Sequence, residues 1–261
     1  MNSNIPITTE DMMNTAKTLK EVLPNTVNET DGALSTILGL FNHVVLYPIK
    51  KANIEFIYKL EMFEKELKMK LSKIPSSEIC EPELSITGPT LESLKYNFDR
   101  KEIRELFLSL ITSSMDKRCT LIVHPAFVEI IRQLSSLDAR LIQMFAFRGT
   151  YPVVSIIEKS SDNKLTPYTY DLFYFGDHNN EFSIEEQRVL TLSLDNLIRL
   201  GLVNKNSQII ELDFDYDYFK GHLFYRSIEK QKEINSSLVM NKFRIELTEL
   251  GRAFKTCCLD R

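Results

Sequence analysis

The chain has 261 residues, 43% of them hydrophobic and 26% charged, with only 8 Gly and 9 Pro; this is room for two ordinary domains, and it excludes a disordered, collagenous or low-complexity protein. A formal charge of −4 and a pI near 5.7 exclude a generally basic surface, so attraction to nucleic acid or to an anionic membrane would need a local patch. Cys80, Cys119, Cys257 and Cys258 show neither paired metal-ligand spacing nor a secreted framework, and the N-terminus carries no signal pattern, so reduced thiols in a cytoplasm are expected and no function is assigned to them.

Residues 1–31 form a polar N-terminal arm with short apolar clusters such as Met12, Met13 and Leu19, expected to make a loose helix over Thr9–Leu23 or to fold against a partner. After Gly32 the chain turns strongly apolar, but the stretch from Ala33 to Tyr47 contains Asn42 and His43 and is shorter than the roughly 20 apolar residues of a bilayer span. An interior helix is favoured there. From Asn53 to Leu71, Phe56, Leu60, Phe63, Leu67 and Leu71 recur at helical steps and predict a long amphipathic helix. Glu61–Lys65, Glu64–Lys68 and Glu66–Lys70 are i,i+4 pairs that predict a solvated charged face. Pro75, Pro82, Gly88 and Pro89 predict a loop or extended connector over 75–89.

Asp99 and Glu102 have the spacing of a capping box, and the stripe Ile103, Leu106, Phe107, Leu110, Ile111 predicts a helix from about Arg100 to Ser114. His124 and Pro125 open the next, with Phe127, Ile130, Ile131 and Leu134 as its buried face. Ser135 and Asp138 form a second capping box, ahead of the stripe Leu137, Leu141, Met144, Phe145. The run Val123–Phe145 therefore joins two helices at Leu134 and Ser135 with no flexible linker. It predicts a boundary between rigidly docked modules that share a protein-binding surface.

Pro152–Ile157 reads as a short strand or a buried helical turn, and periodicity does not resolve the polar, Tyr-rich stretch 160–181. Ser183 with Glu186 makes a third capping box, for a helix carrying Leu190, Leu194, Leu197 and Ile198 and stopped by Gly201. Val203–Leu212 and Phe243–Leu247 read as strands, a helix is expected near Tyr218–Lys232, and Thr248–Cys258 closes the chain as a helix. That order predicts a winged helix, with 183–200 in the recognition-helix place and the strands of 203–247 as the wing. The expected fold class is mainly α: a helical domain of long amphipathic helices over 32–134, then a winged-helix-like α+β domain over 135–261 with insertions at 160–181 and 213–240.

If that module bound DNA, Arg188 and Arg199 would be its phosphate contacts. Glu185, Glu186 and Asp195 leave the same helix net negative, however, and Glu211, Asp213, Asp215 and Asp217 flank the first wing strand with only Lys205 nearby, so protein interaction or packing is the favoured role. Asp213, Asp215 and Asp217 also invite a Ca²⁺ or Mg²⁺ reading. Their alternation with Phe214, Tyr216 and Tyr218 and the lack of an EF-hand glycine and terminal glutamate favour a strand with one solvated face. His43, His124, His178 and His222 are too far apart for a histidine metal motif, and His124 is read as a helix cap. Asp177 beside His178 offers an acid–base pair but comes without a nucleophile motif, and there is no phosphate loop, GxGxxG or GxSxG. No catalytic, cofactor-binding or metal residue is assigned, and no cofactor is expected.

The run PELSITGPTLESLKYNFDRKEIRELFLSLITSSMDKR, followed by VHPAFVEIIRQLSSLDARLI, resembles the Abi-alpha family, bacterial proteins associated with abortive infection. The resemblance covers about residues 30–147. It rests on the PELSITGP connector, the acidic-capped helix DRKEIRELFLSLITSSMD and the helix pair that follows, while SLDNLIRLGLV and IELTELGRAF resemble the C-terminal part of many members. Phe107 or Leu108 stands where many relatives carry Trp. The resemblance implies a cytoplasmic phage-defence component, and it brings no catalytic residues with it. The expected function is a non-enzymatic protein acting through a host or phage protein partner, with a homo-oligomer compatible with that role. The alternatives are a DNA-binding winged-helix regulator using Arg188 and Arg199, and a membrane-acting toxic effector using residues 33–48.

Overall fold

A computed structural model describes residues 29–41 and 53–260. The chain divides into two compact units, 1–133 with the tail 256–261, and 134–255. The expected helix over Thr9–Leu23, His43 and the second half of the apolar segment 33–48 lie outside the described residues. Among the described residues the fold is dominated by helices and carries one four-stranded antiparallel sheet.

The first unit holds α1 (Glu29–Phe41), α2 (Asn53–Leu71), α3 (Leu84–Asn97), α4 (Lys101–Ser114) and α5 (Ala126–Arg132). Leu34, Ile37, Leu38 and Phe41 of α1 are buried in protein, and Phe41 stacks flat on Phe63 of α2 at 3.9 Å between ring centroids. Among the described residues no helix is long and apolar enough to cross a membrane. α2 keeps the boundaries its periodicity predicts, but its charges are not all a solvated ladder. Glu66 turns to α4 instead, where Arg104 forks onto it at 3.0 and 3.1 Å, donates to the Phe98 carbonyl at 2.6 Å and lies over the Phe98 ring. A planar fork with five donors suits such a half-buried carboxylate better than lysine does.

Two local expectations fail here for identifiable reasons. The predicted connector over 75–89 is a 3₁₀ turn at Ser76–Glu78 followed by α3, which runs straight through Pro89. Ile86, Leu91 and Leu94 are fully buried, and Thr90 and Ser93 hydroxyls donate back to the carbonyls of Ile86 and Pro89, so tertiary burial overrides the proline's helix-breaking tendency. Asp99 does not cap α4. Arg100 occupies the N-cap without a side-chain bond, and Asp99 accepts from Lys59 at 3.2 Å. α4 itself is buried on all sides from Leu106 to Ser114, not along one stripe. Its polar residues are satisfied internally, Thr112 by the Leu108 carbonyl and Ser113 by the Cys257 carbonyl, as burial requires.

The second unit contains α6 (Ser136–Met144), β1 (Thr150–Lys159), β2 (Leu165–Phe173), α7 (Ile184–Arg199), β3 (Val203–Asn206), α8 (Leu223–Gln231), β4 (Ser237–Leu247) and the start of α9 (Glu249–Cys258). The sheet order is β2-β1-β4-β3. β1 is a ten-residue strand, longer than PVVSII, and stretch 160–181 supplies its hairpin partner β2, whose polar Tyr-rich residues hid the alternation. β3 stops at Asn206 and not at Leu212, and the segment 216–221 is a 3₁₀ helix. Val154, Ile156 and Leu172 of the sheet pack against Tyr216, Phe219, Phe224, Tyr225 and Ile228 in one core.

Gly201 ends α7 at φ +73°, the left-handed value that glycine adopts without cost. Gly251 is needed for a different reason: a Cβ there would come within 2.0 Å of the Leu202 carbonyl oxygen. Backbone cannot yield as a side-chain end can, so Gly251→Ala is expected to lower stability by about 3 kcal/mol, the upper end of the usual overpacking cost, read as a shift in the urea unfolding midpoint.

Candidate functional site

The second unit presents two features with functional potential, the outward face of α7 and a cavity on the other side of that helix. α7 is fixed by its own start. Ser183 accepts from the Glu186 N–H and Glu186 accepts from the Ser183 N–H, a closed capping box. The other oxygen of Glu186 takes Arg140 of α6. Its carboxyl is held below the ordinary value, chiefly by the Ser183 N–H and further by Arg140. α6 repeats the arrangement: Ser135 and Asp138 form its capping box, and Asp138 also accepts from Asn196 of α7 at 2.8 Å. Each box therefore braces the other helix.

With Leu190, Leu194 and Leu197 buried by this brace, the opposite side of α7 faces outward. It carries Glu185, Arg188, Val189, Leu192, Asp195 and Arg199, all exposed, with Leu192 at 71% and Val189 at 46% of full exposure. Beside it runs a largely apolar groove of about 440 Å³ lined by Ser135, Leu137, Asp138, Val189, Leu192 and Ser193 together with Asp195, Asn196 and Arg199. Arg188 lies over the Phe224 ring, and Arg199 forks onto the Asn196 side-chain carbonyl. The two arginines predicted as phosphate contacts thus share a face with Glu185 and Asp195. Sequence reasoning followed the buried stripe and passed over Val189 and Leu192, although two apolar residues on the side away from that stripe are the signal that could have found the face.

The inner side of α7 borders a cavity of about 350 Å³, walled by Phe173, Phe175, Phe182, Leu190, His222 and Phe224. His222 caps α8: its Nδ1 accepts from the Phe224 N–H at 3.3 Å, and its Nε2 sits 3.1 Å from the Gln187 side-chain oxygen. These partners fix the neutral ring with its proton on Nε2. At the cavity edge the Asp171 carboxylate is engaged by Lys205 at 2.6 Å and by Ser155, while its backbone N–H donates to Thr191 of α7.

The remaining candidates are not brought together. Asp215 accepts from the Asp217 N–H and Asp217 pairs with Lys220, so these side chains organise a 3₁₀ turn; the alternation taken for a strand arises because Tyr216 and Phe219 turn inward while the aspartates cap. His178 stacks on Phe147 at 4.0 Å between centroids. His124 caps α5 through Nδ1, which accepts from the Ala126 N–H. Cys119, Cys257 and Cys258 are buried, and burial pushes the Cys258 thiol well up, which leaves it unreactive.

The family model described as abortive infection alpha matches residues 55–258, and so reaches through the second unit as well as most of the described part of the first. No curated protein matches the chain. A solved structure, the uncharacterized protein from the hydrocarbon-degrading marine bacterium Alcanivorax borkumensis SK2, is similar at 18% identity over 54% of this chain and 94% of its own, with a TM-score of 0.34.

Burial lowers the His222 pKa from its ordinary value of 6.5. The folded protein then resists a proton that the unfolded chain takes up, so this group's contribution to stability is complete above about pH 6.5 and is lost as pH falls from there through the lowered folded value. Urea unfolding followed between pH 7.5 and 5 is expected to show that loss, and His222→Asn, which keeps a helix-capping side chain, is expected to flatten it.

Proposed function

The chain belongs to the abortive infection alpha family, and from that membership we propose that it is a phage-defence component of the bacterial cytoplasm that acts by binding protein, not by catalysis, through the outward face of α7. One observation carries this reading: Leu192 and Val189 stand exposed beside an apolar groove on a helix whose orientation is set by two reciprocal capping boxes. An exposed apolar centre ringed by charge on a rigid element is the anatomy of a protein-binding surface. The titratable groups near it support the same view. Asp138, Glu186, Asp171 and His222 are each engaged in holding a helix start or a strand. Four free cysteines accord with a reducing compartment.

The sheet order β1-β4-β3 behind α7 favours a second, architectural reading as a winged helix, with α7 in the recognition place and β3 with β4 as wing. β2 and the 3₁₀ segment at Gly176–Glu181 occupy the position between first strand and recognition helix, where that fold places a helix. As a DNA reader it would have to bring Glu185 and Asp195 against phosphate along with Arg188 and Arg199, a mixed charge that favours a protein partner.

Leu192→Asp removes the apolar centre at an exposed site, where substitutions shift stability by only about 0.5 kcal/mol. In cells that restrict phage when expressing the wild-type chain, this variant is expected to accumulate normally and to lose restriction; full restriction by a well-expressed Leu192→Asp protein would remove the reading.

A further inference from the structure

The exposed face of α7 repeats at three- and four-residue steps: Glu185, Arg188, Leu192, Asp195, Arg199. This is the spacing of a helix–helix seam, and its charges run negative, positive, apolar, negative, positive. When two copies of one helix lie side by side in parallel, each residue meets itself, and the seam would set Glu185 against Glu185 and Arg188 against Arg188. When they lie antiparallel about a two-fold axis at Leu192, residues meet whose numbers add to the same total. Glu185 then faces the partner's Arg199, and Arg188 faces the partner's Asp195 and Asn196. Arg188 and Asp195 share one flank of the helix, and in an antiparallel pair like flanks meet. Every charge on the seam thereby gains an opposite charge, and the like-charge contacts of the parallel arrangement vanish.

We propose that this face binds a second copy of the chain, with α7 packed antiparallel on α7 across a two-fold axis at Leu192. The inference rests on the reading of the α7 face as an interaction surface and adds the identity of the partner. A foreign protein would need no symmetry in this pattern, whereas an isologous dimer requires self-complementarity about one point. The apolar requirement is met at the same place. The partner's Leu192 comes to the axis beside the groove lined by Leu137, Val189 and Ser193, which is open and about 440 Å³ in volume. Arg199 is held on the same face by the Asn196 side-chain carbonyl at 2.7 Å, and Arg188 rests on Phe224 at its flank. The arrangement is weakened by salt, since its polar contacts lie at the rim.

Sedimentation velocity of the full chain at tens of micromolar and low salt tests this. The wild type is expected to be a dimer. An all-basic face (Glu185→Arg with Asp195→Arg) and an all-acidic face (Arg188→Glu with Arg199→Glu) are each expected to be folded monomers by circular dichroism, and an equimolar mixture of the two is expected to recover the dimer. A monomeric wild type, dimers of either variant alone, or a mixture that stays monomeric would overturn the proposal. A monomeric wild type whose Leu192→Asp variant still loses phage restriction removes the second copy and leaves the interaction surface standing; a dimer whose Leu192→Asp variant restricts phage fully removes the functional reading instead.

Discussion

The carboxylates of Asp138 and Glu186 each do two things at once, closing the first turn of their own helix and holding the neighbouring helix by a hydrogen bond or ion pair. Asp138 is buried while doing so, which strengthens its bonds and makes the loss of any one partner costly. Because Asp138 grips Asn196 near the end of α7 and Glu186 is gripped by Arg140 near its beginning, the helix is pinned at both ends and cannot roll. Thr191, between them, is held from the sheet by the Asp171 N–H. What faces inward along α7 and what faces outward follow from these three attachments.

From that constraint comes the division of labour in the second unit. The inner side of α7 closes a cavity with β2 and α8, where burial lowers the His222 pKa and two partners orient its ring. The outer side is left with Val189 and Leu192 in solvent. Leaving Leu192 at 71% exposure gives up burial worth about 1.5–3 kcal/mol for such a side chain.

Much of this was legible from residue order where the signal is local. Two of three predicted capping boxes close as their spacing demands, α2 runs from Asn53 to Leu71, and Gly201 stops α7. The third box fails because Asp99 finds Lys59 across the unit, a partner no local pattern reveals. α3 was hidden by Pro89, whose breaker signal is overruled by the burial of Ile86, Leu91 and Leu94. β2 was hidden because Tyr168 and Tyr170 place ring and hydroxyl on different sides of any polarity scale. The segment after Asn206 misled because Asp213, Asp215 and Asp217 alternate with aromatics for reasons of capping and a 3₁₀ turn, not of strand pleat. The α7 face was legible in principle, since its charges could be read off directly, but the direction it faces was not, because that depends on Asn196 reaching Asp138.

The proposed meeting of α7 with a second α7 at Leu192 is measurable without reference to phage. Leu192→Cys places one thiol on the proposed axis, while Glu229→Cys places one on the exposed side of α8; the native Cys119, Cys257 and Cys258 are buried. Under mild oxidation, the account predicts a disulfide-linked species of two chains for Leu192→Cys, forming well ahead of any from Glu229→Cys or the wild type. Equal rates from both positions, or no crosslink at 192, would contradict it.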